Sequence, residues 1–193
     1  MVVLKKILDF YINSSLHVAL SAFALVSMTQ YFFGVEEDFS VAFFAFFGTV
    51  VGYNFVKYDA IARLNKTEIK NELKTIVFLS FISLLACFYF FLQLSWMSKV
   101  SAFAFFGLTL LYTLPFFPNK QNARNWKGVK IYIVGITWVG VTVILPLLEA
   151  EIPFTMDVLL MAFQRFFLVF SIVLVFDIVD VKHDDIHLQT VPQ

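Results

Sequence analysis

Residues 154–176 read FTMDVLLMAFQRFFLVFSIVLVF, and residues 177–193 continue as DIVDVKHDDIHLQTVPQ. The first stretch is long enough to cross a bilayer as a helix, since about 20 apolar residues at ~1.5 Å rise each span the hydrocarbon core. The second opens with Asp177, Asp180 and Asp184 at i, i+3 and i+7, which places all three on one face if the helix continues. Clustered carboxylates repel one another unless a cation sits between them. A hard divalent ion such as Mg2+, shared with a phosphate, meets that need. An apolar crossing that ends in a metal-ready acidic face points to phosphate chemistry on a lipid-soluble molecule. The plain alternative is a solvated acidic helix end.

Composition extends this reading to the whole chain. Of 193 residues 60% are hydrophobic, 26 are Phe and only 15% are charged, whereas a soluble domain is about half apolar and about a quarter charged. The expected fold is an all-α polytopic membrane protein, a single bundle over residues 1–193. A transmembrane barrel would need short alternating segments, so helices are the better expectation. Six spans are predicted: Ser15–Phe33, Phe39–Val56, Thr75–Leu94, Lys99–Phe117, Ile131–Leu148 and Phe154–Phe176. Turn chemistry separates them at GVEED, SWMSK, PNKQNARN and EAEIP. Residues 59–74, DAIARLNKTEIKNELK, are too polar to cross and are predicted to form an interfacial helix. Gly48 and Gly52 form a GxxxG pair that lets a neighbouring helix approach.

The charges set an orientation. Lys5, Lys6, Lys57, Arg63, Lys66, Lys70, Lys74, Lys120, Arg124, Lys127, Lys130 and Lys182 fall on one side of the predicted spans, and Lys99 alone falls on the other. The positive-inside rule then puts both termini in the cytoplasm. The sequons at Asn13 and Asn65 would be cytoplasmic and unglycosylated. The start, MVVLKKILDFYINSS, has no short apolar core followed by a small-residue cleavage site, so no cleaved signal peptide is expected. Cys87 is the only cysteine, which excludes an intramolecular disulfide and a Cys-based zinc site. No nucleic-acid partner is expected.

Three features converge on the cytoplasmic side: the aspartates above, residues 53–59 (YNFVKYD) with Asn54, Lys57 and Asp59, and residues 111–131 (LYTLPFFPNKQNARNWKGVKI) with Lys120, Arg124, Lys127 and Lys130. Carboxylates that hold a metal and cations that hold phosphate oxygens are what a diphosphate leaving group requires. The basic residues also serve topology alone, and Asn54 is equally suited to bond across helices. Arg165 lies about eleven residues into the last span, where a charge is costly and faces the bundle interior or a wet cavity. Pairing with a polar group and contact with a substrate both account for it. His183 and His187, four apart, read as a transition-metal pair or as a solvated turn.

The pattern DIVDVKHDDIHLQTVP resembles the second aspartate-rich motif of the UbiA-type membrane prenyltransferases, D-I-x-D-x-x-x-D followed by T-L-P. Residues 112–131 resemble that family's Tyr-Ser/Thr-x-Pro loop, and Asn54 sits where its first motif begins. The resemblance implies a helical bundle with a cavity open to lipid, in a bacterial-type inner membrane. There an isoprenyl group passes from a polyprenyl diphosphate to a lipophilic, commonly aromatic, acceptor of quinone or haem type. It implies Mg2+ held by Asp177, Asp180 and Asp184, and diphosphate contacts from Lys120, Arg124, Lys127 and Lys130. The first motif departs from N-D-x-x-D-x-x-x-D, since Phe55, Tyr58 and Ala62 stand at the carboxylate places and Asp59 is one residue out of register. Lys57 shares a face with Asn54 and is placed to supply a fixed positive charge there. The family has nine spans, so the resemblance also implies further spans beyond these, or a partner that completes the bundle. A non-catalytic protein of the same fold, binding an isoprenoid lipid or a partner, is the alternative. A small transporter has Arg165 in its favour but no recognisable repeats.

Overall fold

The computed structural model describes residues 2–36, 39–64, 71–113 and 129–180. Among these there is no strand, and the order is α1 (Val2–Asn13), α2 (Leu16–Phe32), α3 (Phe39–Leu64), α4 (Asn71–Gln93), α5 (Trp96–Thr113), α6 (Val129–Val139), a π-helical turn (Gly140–Ile144), α7 (Leu145–Glu149) and α8 (Met156–Asp180). Four stretches are long and apolar enough to cross a membrane: Phe39–Tyr58, Leu73–Gln93, Val129–Glu149 and Met156–Val175. They coincide with the second, third, fifth and sixth predicted spans. The remaining two are built differently. Where Ser15–Phe33 is predicted, α2 meets α1 at a 61° bend, and the pair reaches spanning length only together. The apolar part of α5, Trp96–Leu111, is shorter than the four long spans. The protein is a multi-pass, all-α membrane protein.

The separate interfacial helix expected over residues 59–74 does not form as such, because α3 runs on to Leu64 and α4 already begins at Asn71. Ala60, Ala62, Arg63 and Leu64 are strong helix formers, and lengthening an existing helix avoids the cost of a new nucleus. Residues 65–70 lie outside the described residues.

The chain divides into two compact units, Met1–Ser95 and Trp96–Gln193. In the first, α3 packs against both α2 and α4. Ala19 and Ala22 on α2 and Ala42 and Ala45 on α3 are fully buried, and their small side chains let helices approach closely. Phe43 stacks on Phe90 with ring centroids 5.3 Å apart, and Phe47 stacks on the same ring at 6.0 Å. Two hydrogen bonds fix the α3–α4 register. Ser40 Oγ donates to Gln93 Oε1 at 2.9 Å, and Asn54 Nδ2 donates to Ser80 Oγ at 2.9 Å. Rising numbers on α3 pair with falling numbers on α4, so the two helices are antiparallel. Gly34 closes α2 in a left-handed conformation, φ +62°, with Gly34 N–H on the Tyr31 carbonyl and Val35 N–H on the Gln30 carbonyl. That pairing is the Schellman motif, which satisfies carbonyls the last turn leaves open.

In the second unit, the α6–π–α7 rod packs against α5 and α8. Pro146 explains the π turn, because a proline lacks N–H and its ring collides with the carbonyl four residues back in a regular helix. The turn widens by one residue, so that Leu145 N–H reaches the Gly140 carbonyl, five residues back. Gly135 and Gly140 are the close-contact glycines. A Cβ at Gly140 would run into the Phe105 ring, and one at Gly135 would lie 2.7 Å from Phe166. The predicted Gly48–Gly52 pair has no such role. A Cβ at Gly48 would meet Cys87 Sγ at an ordinary 3.5 Å, and one at Gly52 would meet nothing.

Outward faces are apolar. On α4, Phe78, Phe81, Leu85, Phe88 and Leu92 are all more than half exposed and recur every three or four residues. A continuous stripe of this kind is ruinous in water and normal against lipid tails.

Candidate functional site

The best-defined cluster of polar side chains on the first unit lies where α3 approaches the end of its apolar stretch. Asn54 is buried, 3% exposed. Its amide nitrogen donates to Ser80 Oγ, and that hydroxyl donates in turn to the Ile76 carbonyl at 2.8 Å. The amide oxygen, Oδ1, is buried with no hydrogen-bond partner among the described residues. A carboxamide oxygen is a hard, neutral acceptor. Left unmatched in a low-dielectric interior it costs about 1–3 kcal/mol, and it suits either a hydrogen-bond donor or a hard cation.

One turn further along α3, Lys57 is exposed and its ammonium lies 3.4 Å from the Asn13 carbonyl and 3.5 Å from Asn13 Oδ1. The same ammonium stands 5.4 Å from the centroid of the Tyr58 ring. Tyr58 hydroxyl donates to the Asn13 carbonyl at 2.9 Å. The end of α1 is therefore fastened to α3 by two consecutive residues. Phe55, next to Asn54, is 43% exposed. Asp59 lies on α3, and its side chain is outside the described residues.

Of the predicted diphosphate contacts, Lys130 is half-buried in the first turn of α6, while Lys120, Arg124 and Lys127 lie outside the described residues. The backbone of α8 continues helically through Asp177 and Asp180, so the two stand one turn apart on it. Their side chains, and all of Asp184, are outside the described residues, as are His183 and His187. Among the described residues no three His, Cys, Asp or Glu are grouped to hold a metal. Asn54, Lys57 and Asp59 belong to the first unit, and Lys130, Asp177 and Asp180 to the second.

Arg165 is the second buried polar centre, 3% exposed and about 14 Å along α8 from its start. One guanidinium nitrogen donates to Thr142 Oγ1 at 3.2 Å, and another lies 4.0 Å from Met161 Sδ. Thr142 sits in the π turn, and its hydroxyl donates to the Trp138 carbonyl at 2.7 Å, leaving a lone pair for Arg165. The predicted charge at membrane depth thus has a polar partner on a neighbouring helix.

Two participants were not legible as such in the sequence. Ser80 is one of several hydroxyl residues in apolar spans, and only the antiparallel register pairs it with Asn54. Asn13 reads as a sequon, yet its carbonyl and side chain receive Lys57 and its carbonyl also receives Tyr58. No family model, no curated protein and no solved structure matches this chain.

Proposed function

We propose that this multi-pass membrane protein binds a Mg2+-complexed polyprenyl diphosphate and transfers its isoprenyl group to a lipophilic, aromatic acceptor, in the manner of the UbiA-type enzymes it resembles. The observation that carries the reading is Asn54. A buried amide oxygen without a partner among the described residues, close to the end of a crossing, suits a hard cation or a donor group on a ligand. The helical continuation of α8 through Asp177 and Asp180 supports it too, since one-turn spacing is what two carboxylates need to approach the same ion. In this reading Asp177, Asp180 and Asp184 hold the ion, and Lys120, Arg124, Lys127 and Lys130 hold diphosphate oxygens. An ion held there would supply charge neutralisation for the departing diphosphate, the chemistry that breakage of the allylic C–O bond needs. The apolar helices exclude water from the cationic carbon. In this reading both termini and these residues face the cytoplasm, which the lysine and arginine distribution supports.

The test supplies purified protein in lipid with labelled polyprenyl diphosphates of several lengths, Mg2+ and candidate aromatic acceptors. Transfer of label supports the reading. Absence of both transfer and Mg2+-dependent diphosphate binding defeats it. Asp180→Ala is expected to weaken that binding at least about tenfold, or ~1.4 kcal/mol, and unchanged affinity removes the metal role of the α8 end.

One observation favours a second reading, a non-catalytic protein that binds an isoprenoid lipid or a partner. Lys57 and Tyr58 are engaged by Asn13, so this corner holds itself together where the related motif has carboxylates. Mg2+-dependent binding without transfer to any acceptor selects this reading.

A further inference from the structure

Helix α1 is the one described element whose first two turns are exposed on every side, Val3 to Leu8 without exception. Val3, Leu4, Ile7 and Leu8 are 71%, 73%, 61% and 53% exposed. At about 100° per residue these four, with Phe10 and Tyr11, fall within an arc of about 160°. Lys5, Lys6, Asp9 and Asn13, two cations against one carboxylate, lie in the opposite arc, which they share with Val2 at the start of the helix and Ile12 at its border. The helix thus has an apolar side and a mainly basic-polar side, and its apolar side is uncovered from Val3 to Leu8 while Phe10 and Tyr11 are half-buried.

Its direction is fixed by a built corner. Ser15 takes a left-handed conformation, φ 60°, with its N–H on the Ile12 carbonyl, and Ser14 Oγ donates to the Phe10 carbonyl at 2.7 Å. Both serines are buried. Lys57 and Tyr58 hold the Asn13 end from α3. With this corner in place α1 leaves the α2 axis at 61°. An amphipathic helix turned sharply from the helix that follows it, with lysines bordering its apolar face, matches a bilayer surface. The apolar half enters the boundary between headgroups and acyl chains, and the lysines remain among the headgroups.

We propose that α1 lies in the plane of the membrane interface as a lipid-contact helix for anionic headgroups, hinged at Ser14–Ser15 and latched to α3 through Asn13. The proposal rests on the membrane character of the chain and is independent of the prenyl-transfer reading.

The test uses the full chain in vesicles of phosphatidylcholine with or without phosphatidylglycerol, in a Cys87→Ala background. An environment-sensitive fluorophore is attached to Leu4→Cys, Ile7→Cys or Lys6→Cys in turn. The expected result is equal quenching of the first two by lipids brominated at a shallow position, and quenching of the third by aqueous iodide. Phosphatidylglycerol is expected to raise the bromolipid quenching. Lys5→Gln with Lys6→Gln, both at exposed positions, is expected to weaken docking about fivefold per lysine and to remove that lipid dependence. Four outcomes overturn the proposal. They are a steady change of depth from Ile7 to Leu4, equal iodide access at all three labels, protection from both quenchers (a protein cover), and indifference to phosphatidylglycerol.

Discussion

The two units are made of the same apolar, phenylalanine-rich helices and handle buried polarity in different ways. The first unit buries neutral groups: Ser14, Ser15, Thr29, Gln30, Asn54 and Ser83. Two of them find a carbonyl four residues back along the chain, as Thr29 Oγ1 donates to the Leu25 carbonyl and Ser14 Oγ to the Phe10 carbonyl. Its α3 and α4 stay regular α-helices throughout. The second unit buries an ion, Arg165, and the rod facing it contains a π turn whose Thr142 hydroxyl accepts from the guanidinium while donating to Trp138. A hydroxyl or amide tolerates a local partner. A guanidinium, with five donors and a fixed charge, requires acceptors supplied by a neighbouring helix.

The contrast makes its largest prediction at the acceptors. Thr142→Val keeps the shape and removes an oxygen that a buried guanidinium uses, so it is expected to cost about 1.5–3 kcal/mol. Ser80→Ala removes the corresponding oxygen for a neutral amide and is expected to cost about 1 kcal/mol. Reversible unfolding of the reconstituted protein by a denaturing detergent measures both. Equal losses would break the comparison, because the charge on Arg165 would then make no difference to the value of its partner.

How much of this was readable beforehand follows from the same physics. Four crossings were legible because each is a long, uninterrupted apolar run, and run length decides whether a helix can span. The corner between α1 and α2 was not legible, since neither glycine nor proline marks it and Ser15 adopts the left-handed conformation without the usual residue type. The polar residues 59–64 were assigned to a separate helix because polarity suggested an end to the crossing, while helix propensity carries α3 through them. Asn54 was legible as a residue able to bond across helices. Its partner was not, because a register between two helices is a tertiary property. Arg165 announced a buried polar contact by its depth, and Thr142 could be chosen only once the π turn set its hydroxyl opposite α8.

Glycine packing gives the next prediction and separates a motif from a contact. Gly140→Ala drives a methyl into the Phe105 ring and is expected to cost about 1–3 kcal/mol. Shortening the ring in Gly140→Ala with Phe105→Leu is expected to recover part of that loss, because the clash is with a side chain. Gly52→Ala places its methyl in open space and gains helix propensity, so it is expected to stabilise by about 0.5–1 kcal/mol. The same unfolding assay reads all three. Destabilisation by Gly52→Ala without rescue of Gly140→Ala would return the close contact to the GxxxG pair in the first unit.

The smallest effect lies at two helix ends that solve one geometrical problem with different residues. Gly34 ends α2 at φ +62°, and Glu151 ends α7 at φ +54°. The bonding is the same in both, since Glu151 N–H reaches the Leu148 carbonyl and Ile152 N–H the Leu147 carbonyl, matching Gly34 on Tyr31 and Val35 on Gln30. A side chain in this conformation brings Cβ toward a carbonyl oxygen, at a cost of about 1–2 kcal/mol that glycine avoids. Glycine also loses more chain entropy on folding, which offsets part of the gain. Glu151→Gly is therefore expected to stabilise the second unit by about 0.5–1 kcal/mol, and Gly34→Ala to destabilise the first by about 1 kcal/mol. Opposite signs sharpen the comparison, because the two ends then differ only in residue type. Loss of stability in Glu151→Gly would mean that the glutamate side chain contributes more at this corner than its backbone strain removes.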